Sequence, residues 1–317
     1  MSFTISTYTP GASTATLHAI WQSAYASLHP TFSLPAAKLH QLVNTPLAKV
    51  FISTAASGEV AGFVLTYLVR IGSSSPKLQH YKGTLAALVV SDAYQGQGAG
   101  TALHDAALAY LEPAVRDSLT RSTPPAAHSE IMFGSIVPRI FPGLPGMPAM
   151  ERARAWFTKR GWNFLDGDMQ IDLYGKLPTS VDQEVFKVAA VQNGITFRPA
   201  TPADNEAIMA LQSDNFEDYT VNGVIIGSAI VAMPGSPIHD VLAWPCTLGE
   251  RCGSISCVGV SHSARGKGAG VTLVAEGMQG LTARGADGVF VDWVRMKNFY
   301  ERFGLHQWES AYWDAAR

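Results

Sequence analysis

Gly96, Gly98 and Gly100 alternate along one stretch of the chain, and Gly266, Gly268 and Gly270 repeat the alternation further on. Turns of this kind let backbone N–H groups approach an anion closely, because no Cβ stands in the way. Where such a turn opens a helix, the helix N-terminus adds a partial positive charge, and together they can seat a pyrophosphate. Spacing excludes two common versions of that chemistry. The dinucleotide fingerprint needs Gly-x-Gly-x-x-Gly, which neither triplet meets. The nucleotide P-loop needs Gly-Lys-Ser/Thr at the helix start, whereas Thr101 follows Gly100 and Val271 follows Gly270.

The elements around the triplets are written twice. Residues 88–100 read LVVSDAYQGQGAG and residues 258–270 read VGVSHSARGKGAG, aligned without a gap at an offset of 170. Each copy has an apolar β-type run, a short polar stretch, the glycine turn and then a helical pattern, over 101–111 and 271–281. A turn that merely needs glycine does not explain why the polar spacing recurs with it. Upstream, Leu17, Ile20, Trp21, Tyr25 and Leu28 predict an amphipathic helix over 13–28. Strands are expected at 49–54, 60–69, 131–137 and 169–173, with a helix over 149–160. In the second half a helix is expected over 202–216, with Thr201 as N-cap. Strands follow at 223–232, 254–260 and 288–294, then a helix over 297–303 and a last strand at 307–312. Alternating helices and strands predict an α/β or α+β class with a mixed sheet in each of two tandem domains. Their expected bounds are 1–178 and 194–317, with 179–193 as a linker that carries a helix over 181–191. The proline-rich stretch 112–150 reads as a long loop overhanging something.

Composition narrows the function. The 317 residues are 47% hydrophobic and 15% charged, too apolar for a disordered chain. A net charge of −2 argues against a nucleic-acid partner. Residues 1–178 carry a net of +3 and residues 179–317 a net of −5, a distribution that suits a cationic substrate on the second half. Cys246, Cys252 and Cys257 match neither a disulfide framework nor a zinc pattern, so no metal is expected and a reducing, cytoplasmic setting is. Residues 1–20 show no secretory signal, and no apolar run is long enough to predict a membrane span. Among other polar groups, His262, His239, Asp240, Glu217, Asp218 and Glu250 fall near the loops, and Trp244 and Trp308 offer ring faces to a sugar.

The pattern both triplets do fit is Gln/Arg-x-x-Gly-x-Gly/Ala after a strand. Gln95, Gly98 and Gly100 meet it, as do Arg265, Gly268 and Gly270. This resembles motif A of the GNAT acyltransferases, which bind the pyrophosphate of acetyl-CoA there. The resemblance makes Gln95, Gly96, Gln97, Gly98, Ala99 and Gly100, and likewise Arg265, Gly266, Lys267, Gly268, Ala269 and Gly270, candidate acetyl-CoA contacts. Phe299-Tyr300-Glu301-Arg302-Phe303-Gly304-Leu305 looks like the family's closing motif, and Trp156-Phe157-Thr158-Lys159-Arg160-Gly161-Trp162 like a degraded copy. More narrowly, Asp292-Trp293 ahead of Tyr300, with Phe141-Pro142-Gly143, is similar to tandem GNAT proteins that acetylate glucosamine and its glycosides. Such tandem units also occur fused to family 3 N-acetylglucosaminidases. Trp293 stands where many GNAT enzymes have Asn, which departs from the usual pantetheine contact.

The resemblance implies direct acetyl transfer to an amine. The attacking amine must lose a proton, the oxyanion needs a backbone N–H, and the leaving thiolate needs a proton. Strand-four N–H groups of Val258 to Val260, and of Leu88 to Val90, are the implied oxyanion donors. Asp292 and Tyr300 are the implied base or amine-binding group and acid, whereas the first half has Ser135 and Phe157 at those positions. The second half is therefore expected to be catalytic and the first degenerate. The expected acceptor is an amino sugar; an aminoglycoside, a polyamine or a protein amine are alternatives, as is a sensor that binds acyl-CoA without turnover.

Overall fold

The computed structural model describes residues 2–71, 80–121, 131–165, 167, 169–216 and 225–317. In chain order the strands are β1 (Phe3–Thr7), β2 (Ala48–Ala55), β3 (Val60–Ile71), β4 (His80–Val90), β5 (Ile131–Phe133), β6 (Leu144–Pro145), β7 (Asn163–Phe164), β8 (Gln170–Lys176), β9 (Gly227–Ala232), β10 (Cys252–Val260), β11 (Gly288–Val294), β12 (His306–Trp313) and β13 (Ala315–Ala316). The α-helices are α1 (Ala15–Trp21), α2 (Ala36–Val43), α3 (Ala99–Arg121), α4 (Glu151–Thr158), α5 (Val188–Gln192), α6 (Asn205–Phe216), α7 (Pro237–Asp240), α8 (Pro245–Leu248), α9 (Ala269–Ala283) and α10 (Lys297–Glu301). Both glycine loops fall between a strand and a helix, as the repeat requires.

The chain forms two compact units, and they are not its contiguous halves. One comprises Met1–Gln170, Val241–Thr247 and Glu309–Arg317; the other comprises Ile171–Asp240 and Leu248–Trp308. Strand pairing explains the exchange of segments. β8 lies antiparallel to β11, from Gly288↔Lys176 to Val291↔Leu173, and so joins the second unit. β13 pairs with β5 and β7 and so joins the first. The stretch 179–193 lies wholly inside the second unit. The glycine repeat carries no information about which sheet the end strands enter.

In the first unit the sheet runs β1-β2-β3-β4-β5-β13-β7. β1 to β4 are antiparallel neighbours, and β4 and β5 are parallel. β3 is buried over most of its length, which accounts for its nearly unbroken apolar run. α3 packs on the sheet through Leu103, Ala107, Leu108, Leu111 and Val115, against Val64, Leu85, Ile131 and Phe133. Phe157 closes this core, 5% exposed, with its ring 4.6 Å from that of Phe133. The second unit orders β8-β11-β10-β9, with β10 parallel to β11 and antiparallel to β9. α9 buries Val274, Ala275, Met278 and Leu281.

The stretch 112–150 is not an overhang. Residues up to Arg121 continue α3, and residues 122–130 lie outside the described set. β5 stops at Phe133 because Gly134 turns in the left-handed region, φ +89°, with no room for a Cβ beside the Phe141 carbonyl. The chain then folds inward, burying Ile140, Phe141 and Leu144. Apolar side chains between the prolines decide this. In the second half Pro202–Asp204 is a 3-10 turn leading into α6, with a Thr201–Asp204 capping box. The strand expected over 223–232 is described from Gly227. Phe157→Ala should lower stability by about 3–5 kcal/mol, measured by chemical denaturation.

Candidate active site

Each unit has the same break in its central strand. Among the described residues β4 and β5 pair at Gly83↔Ile131, Thr84↔Met132 and Leu85↔Phe133 and no further. β10 and β11 pair only at Cys252↔Gly288, Gly253↔Val289 and Ser254↔Phe290. Beyond those points β4 continues beside β3, and β10 beside β9. A bulge accompanies each break. Ala86 is the extra residue between Leu85↔Thr66 and Ala87↔Leu65. In β10 the register shifts between Ser256 and Gly259, and Cys257 takes a left-handed φ of +51°. Beyond the break, N–H groups alternate between the two edges. Those of Ser91 and Ser261 bond back to the antiparallel side, at Ala61 and Ile226. Those of Leu88 and Val90, and of Val258 and Val260, therefore face the edge where the parallel pairing has ended.

The glycine loops that follow share one geometry. A 3-10 turn (Asp92–Tyr94, His262–Ala264) leads to an extended Gln95 or Arg265, then two left-handed glycines. These are Gly96 (+73°) and Gly98 (+103°) in the first loop, Gly266 (+77°) and Gly268 (+88°) in the second. The Gln95 Nε2 donates to the Val90 carbonyl at 3.2 Å, and the Arg265 Nε to the Val260 carbonyl at 3.2 Å. These side chains tie loop to strand. The surroundings of the two loops differ. A Cβ at Gly98 would meet nothing within 4 Å among the described residues. At Gly268 it would lie 2.8 Å from the Ala189 Cβ and 2.8 Å from the Ala190 nitrogen.

The second unit brings Asp292, Tyr300 and Cys257 together. Burial pushes the Tyr300 phenol up to about 12, with the Asp292 carboxylate and the Cys257 thiol adding to the shift. Tyr300 is 7% exposed and stays protonated at neutral pH. β11 bulges at this point. Trp293 has φ +55°, and its N–H donates to the Asp172 Oδ1 at 2.9 Å. In the first unit the matching positions are inert. The Ser135 Oγ accepts from the Ile140 N–H at 2.9 Å, and Phe157 is core.

The remaining candidates separate. The His262 Nδ1 lies 3.1 Å from the Arg265 guanidinium and belongs to the loop. His239, 4% exposed, is bound through Nε2 to the Cys252 carbonyl at 2.7 Å. Trp244 is fully buried, and its Nε1 donates to the Ile140 carbonyl. Trp308 is 4% exposed, packed on Phe290. Neither ring offers a face to a sugar. Phe141 is likewise buried, among Trp21, Tyr25, Phe32, Trp244 and Tyr312. Glu250 is exposed, and Glu217 and Asp218 lie outside the described residues. The sequence reading passed over Thr101 and Arg160. The Arg160 Nη2 donates to the Thr101 Oγ1 at 2.9 Å at the start of α3, and its guanidinium sits 3.7 Å over the Trp156 ring. The signal was available, since the repeat places Val271 at Thr101 and Phe303 at Arg160.

This geometry is that of an acyl-CoA-dependent acetyltransferase unit, present twice. Residues 14–120 and 195–305 both match the acetyltransferase (GNAT) family, and the chain belongs to that family. Its fold is similar to the glucosamine N-acetyltransferase region, GCN5-related, of a fungal multi-domain GH3 β-N-acetylglucosaminidase, with a TM-score of 0.82 and 28% identity over 100% of this chain. This chain spans 38% of that one. It also resembles in fold a GCN5-related N-acetyltransferase from Sphaerobacter thermophilus, TM-score 0.56 and 14% identity, covering 99% of this chain and 95% of that one. No curated protein matches the chain. Among the described residues no helix is long and apolar enough to cross a membrane, and no His/Cys/Asp/Glu cluster is arranged for a metal.

Cys257 tests the bulge. A β-branched side chain is poorly tolerated at a left-handed φ, so Cys257→Val should cost about 1–2 kcal/mol in chemical denaturation. Cys257→Gly should be close to neutral.

Proposed function

We propose that this chain transfers the acetyl group of acetyl-CoA directly to the primary amine of an amino sugar, glucosamine or a glucosaminide. The observation that carries the reading is the bulged strand that parts from its neighbour and runs straight into an open, left-handed glycine loop. That combination offers backbone donors to two parts of one molecule. N–H groups of the loop and the first turn of the following helix suit the pyrophosphate. N–H groups on the freed edge of the strand suit the thioester oxygen as it gains charge. The amine nitrogen forms its bond to the acetyl carbon, the C–S bond breaks, one proton leaves the nitrogen, and one is taken up by the departing sulfur.

The amino-sugar acceptor is supported by the likeness to a glucosamine N-acetyltransferase region over the full length of this chain. The charge distribution agrees with it. The net of +3 over 1–178 suits a polyphosphate, and the net of −5 over 179–317 suits an ammonium group. Cys246, Cys252 and Cys257 are in the thiol form, in keeping with a reducing, intracellular setting.

Thiol release from acetyl-CoA, followed against glucosamine, a glucosaminide, an aminoglycoside, spermidine and peptides with free amines, tests the proposal. The amino sugars should give the highest kcat/KM, at least tenfold above any peptide. Equal or faster turnover with peptides removes the sugar and leaves the transferase. Tight acetyl-CoA binding without thiol release to any amine would favour a sensor instead.

A further inference from the structure

We infer that segment 179–192 is a built-in occupant of the second unit's cofactor groove, so that the chain holds one acyl-CoA, on the first unit's loop, and not two. The inference rests on the acetyltransferase reading above and assigns its cofactor seat.

The segment crosses from the end of α10 to the start of α9. The Thr179 Oγ1 donates to the Phe303 carbonyl at 3.1 Å. The Phe186 ring packs on Phe303 at a tilt of 51°, with centroids 4.5 Å apart. The Phe186 carbonyl accepts from the Thr272 Oγ1 at 2.8 Å, and Thr272 is 1% exposed. The Lys187 Nζ pairs with Glu276 at 2.8 Å and bonds the Gln279 Oε1 at 2.7 Å. Gln279 in turn donates to Glu184 at 2.7 Å. α5 then lies on the glycine loop itself. Ala190 is fully buried, and Ala189 and Ala190 fill the space beside Gly268. A phosphate seated there would need the volume these two residues occupy.

The two grooves have also diverged in chemistry. Beside the first loop stand Thr101 and Arg160, a hydroxyl and a half-exposed guanidinium already held in place by Trp156. Arginine in such a setting binds phosphate oxygens with charge-assisted hydrogen bonds. The second loop has Val271 and Phe303 at those positions, and Phe303 is fully buried under Phe186. An apolar pair covered by the chain's own phenylalanine has no donor to offer. The roles expected of Asp292 and Tyr300 therefore have no thioester to act on at residues 265–270.

Calorimetric titration of the full chain with CoA, combined with hydrogen exchange, tests this. One equivalent should bind. Residues 95–101 should gain protection, and residues 186–193 should keep theirs unchanged at saturation. Gly98→Trp should abolish binding. Arg160→Gln, which leaves the loop backbone intact, should weaken it roughly 10- to 100-fold. Two equivalents, or protection gained at 262–272 with loss at 186–193, would overturn the inference while leaving the acetyltransferase reading in place. So would unchanged affinity in both variants when their circular dichroism is native. A chain that binds no CoA at all overturns that reading and this inference together.

Discussion

Parallel strands hold together by evenly spaced, slanted hydrogen bonds, and one surplus residue is enough to end that register. In β4 the surplus residue, Ala86, directly follows the last pair with β5; in β10 the pairing with β11 ends at Ser254 and the surplus residue follows at the Cys257–Val258 step. Past the surplus residue the strand stays with its antiparallel neighbour and leaves its parallel one. The edge so released is short, lies at the carboxyl end of the strand, and points toward the loop that follows. A β4 that stayed paired with β5 would satisfy the N–H groups of Leu88 and Val90 within the sheet, and the proposed oxyanion donors would be lost. The aim of the loop, and of the helix behind it, follows from where the strand is let go.

The loop is in turn held by its first polar residue. Motif resemblance presents Gln95 and Arg265 as anion contacts, yet both side chains reach back to a strand carbonyl five residues earlier. They fix the exit angle of the chain, and the left-handed glycines then carry it into the helix. An amide and a guanidinium can both occupy this position because the task requires only one N–H donor at the right distance. In the proposed seat, recognition then falls to backbone N–H groups and to side chains outside the motif, Thr101 and Arg160.

Period and repetition were legible in the sequence. The glycine alternation, the strands before it and the helices after it lie where the spacing put them, and two acetyltransferase units follow from that. Three things were not legible. β8 and β13 enter the sheets of compact units other than their own halves, because strand pairing is a tertiary choice that local pattern does not encode. The prolines of 112–150 read as loop, although Ile140, Phe141 and Leu144 make most of the described part core. Trp244 and Trp308 fit a sugar face or the core equally by residue type, and the structure buries both, the commoner place for large aromatics. The Asp292 carboxylate adds to the upward shift of the Tyr300 phenol, so the two lie within electrostatic reach. What the spacing left out was the segment lying across the loop they were meant to serve.

That omission has a physical cause. The stretch 179–192, with Val185, Val188 and Val191 exposed and Ala190 buried, reads as a linker carrying a helix, and that period says nothing of what the helix lies against. Its conformation is set by what it covers. A groove that has lost its polar pair to Val271 and Phe303 presents apolar surface to water, and covering that surface is favourable in proportion to its area. Two small residues at 189 and 190 are what allow the backbone to come down onto Gly268, where any larger side chain would hold it off. The glycine serves the same end from the other side: the missing Cβ that leaves open space at Gly98 lets a helix approach at Gly268. A duplicated fold can thus keep its motif intact while its use changes, and the residues that reveal the change lie beside the motif and not within it.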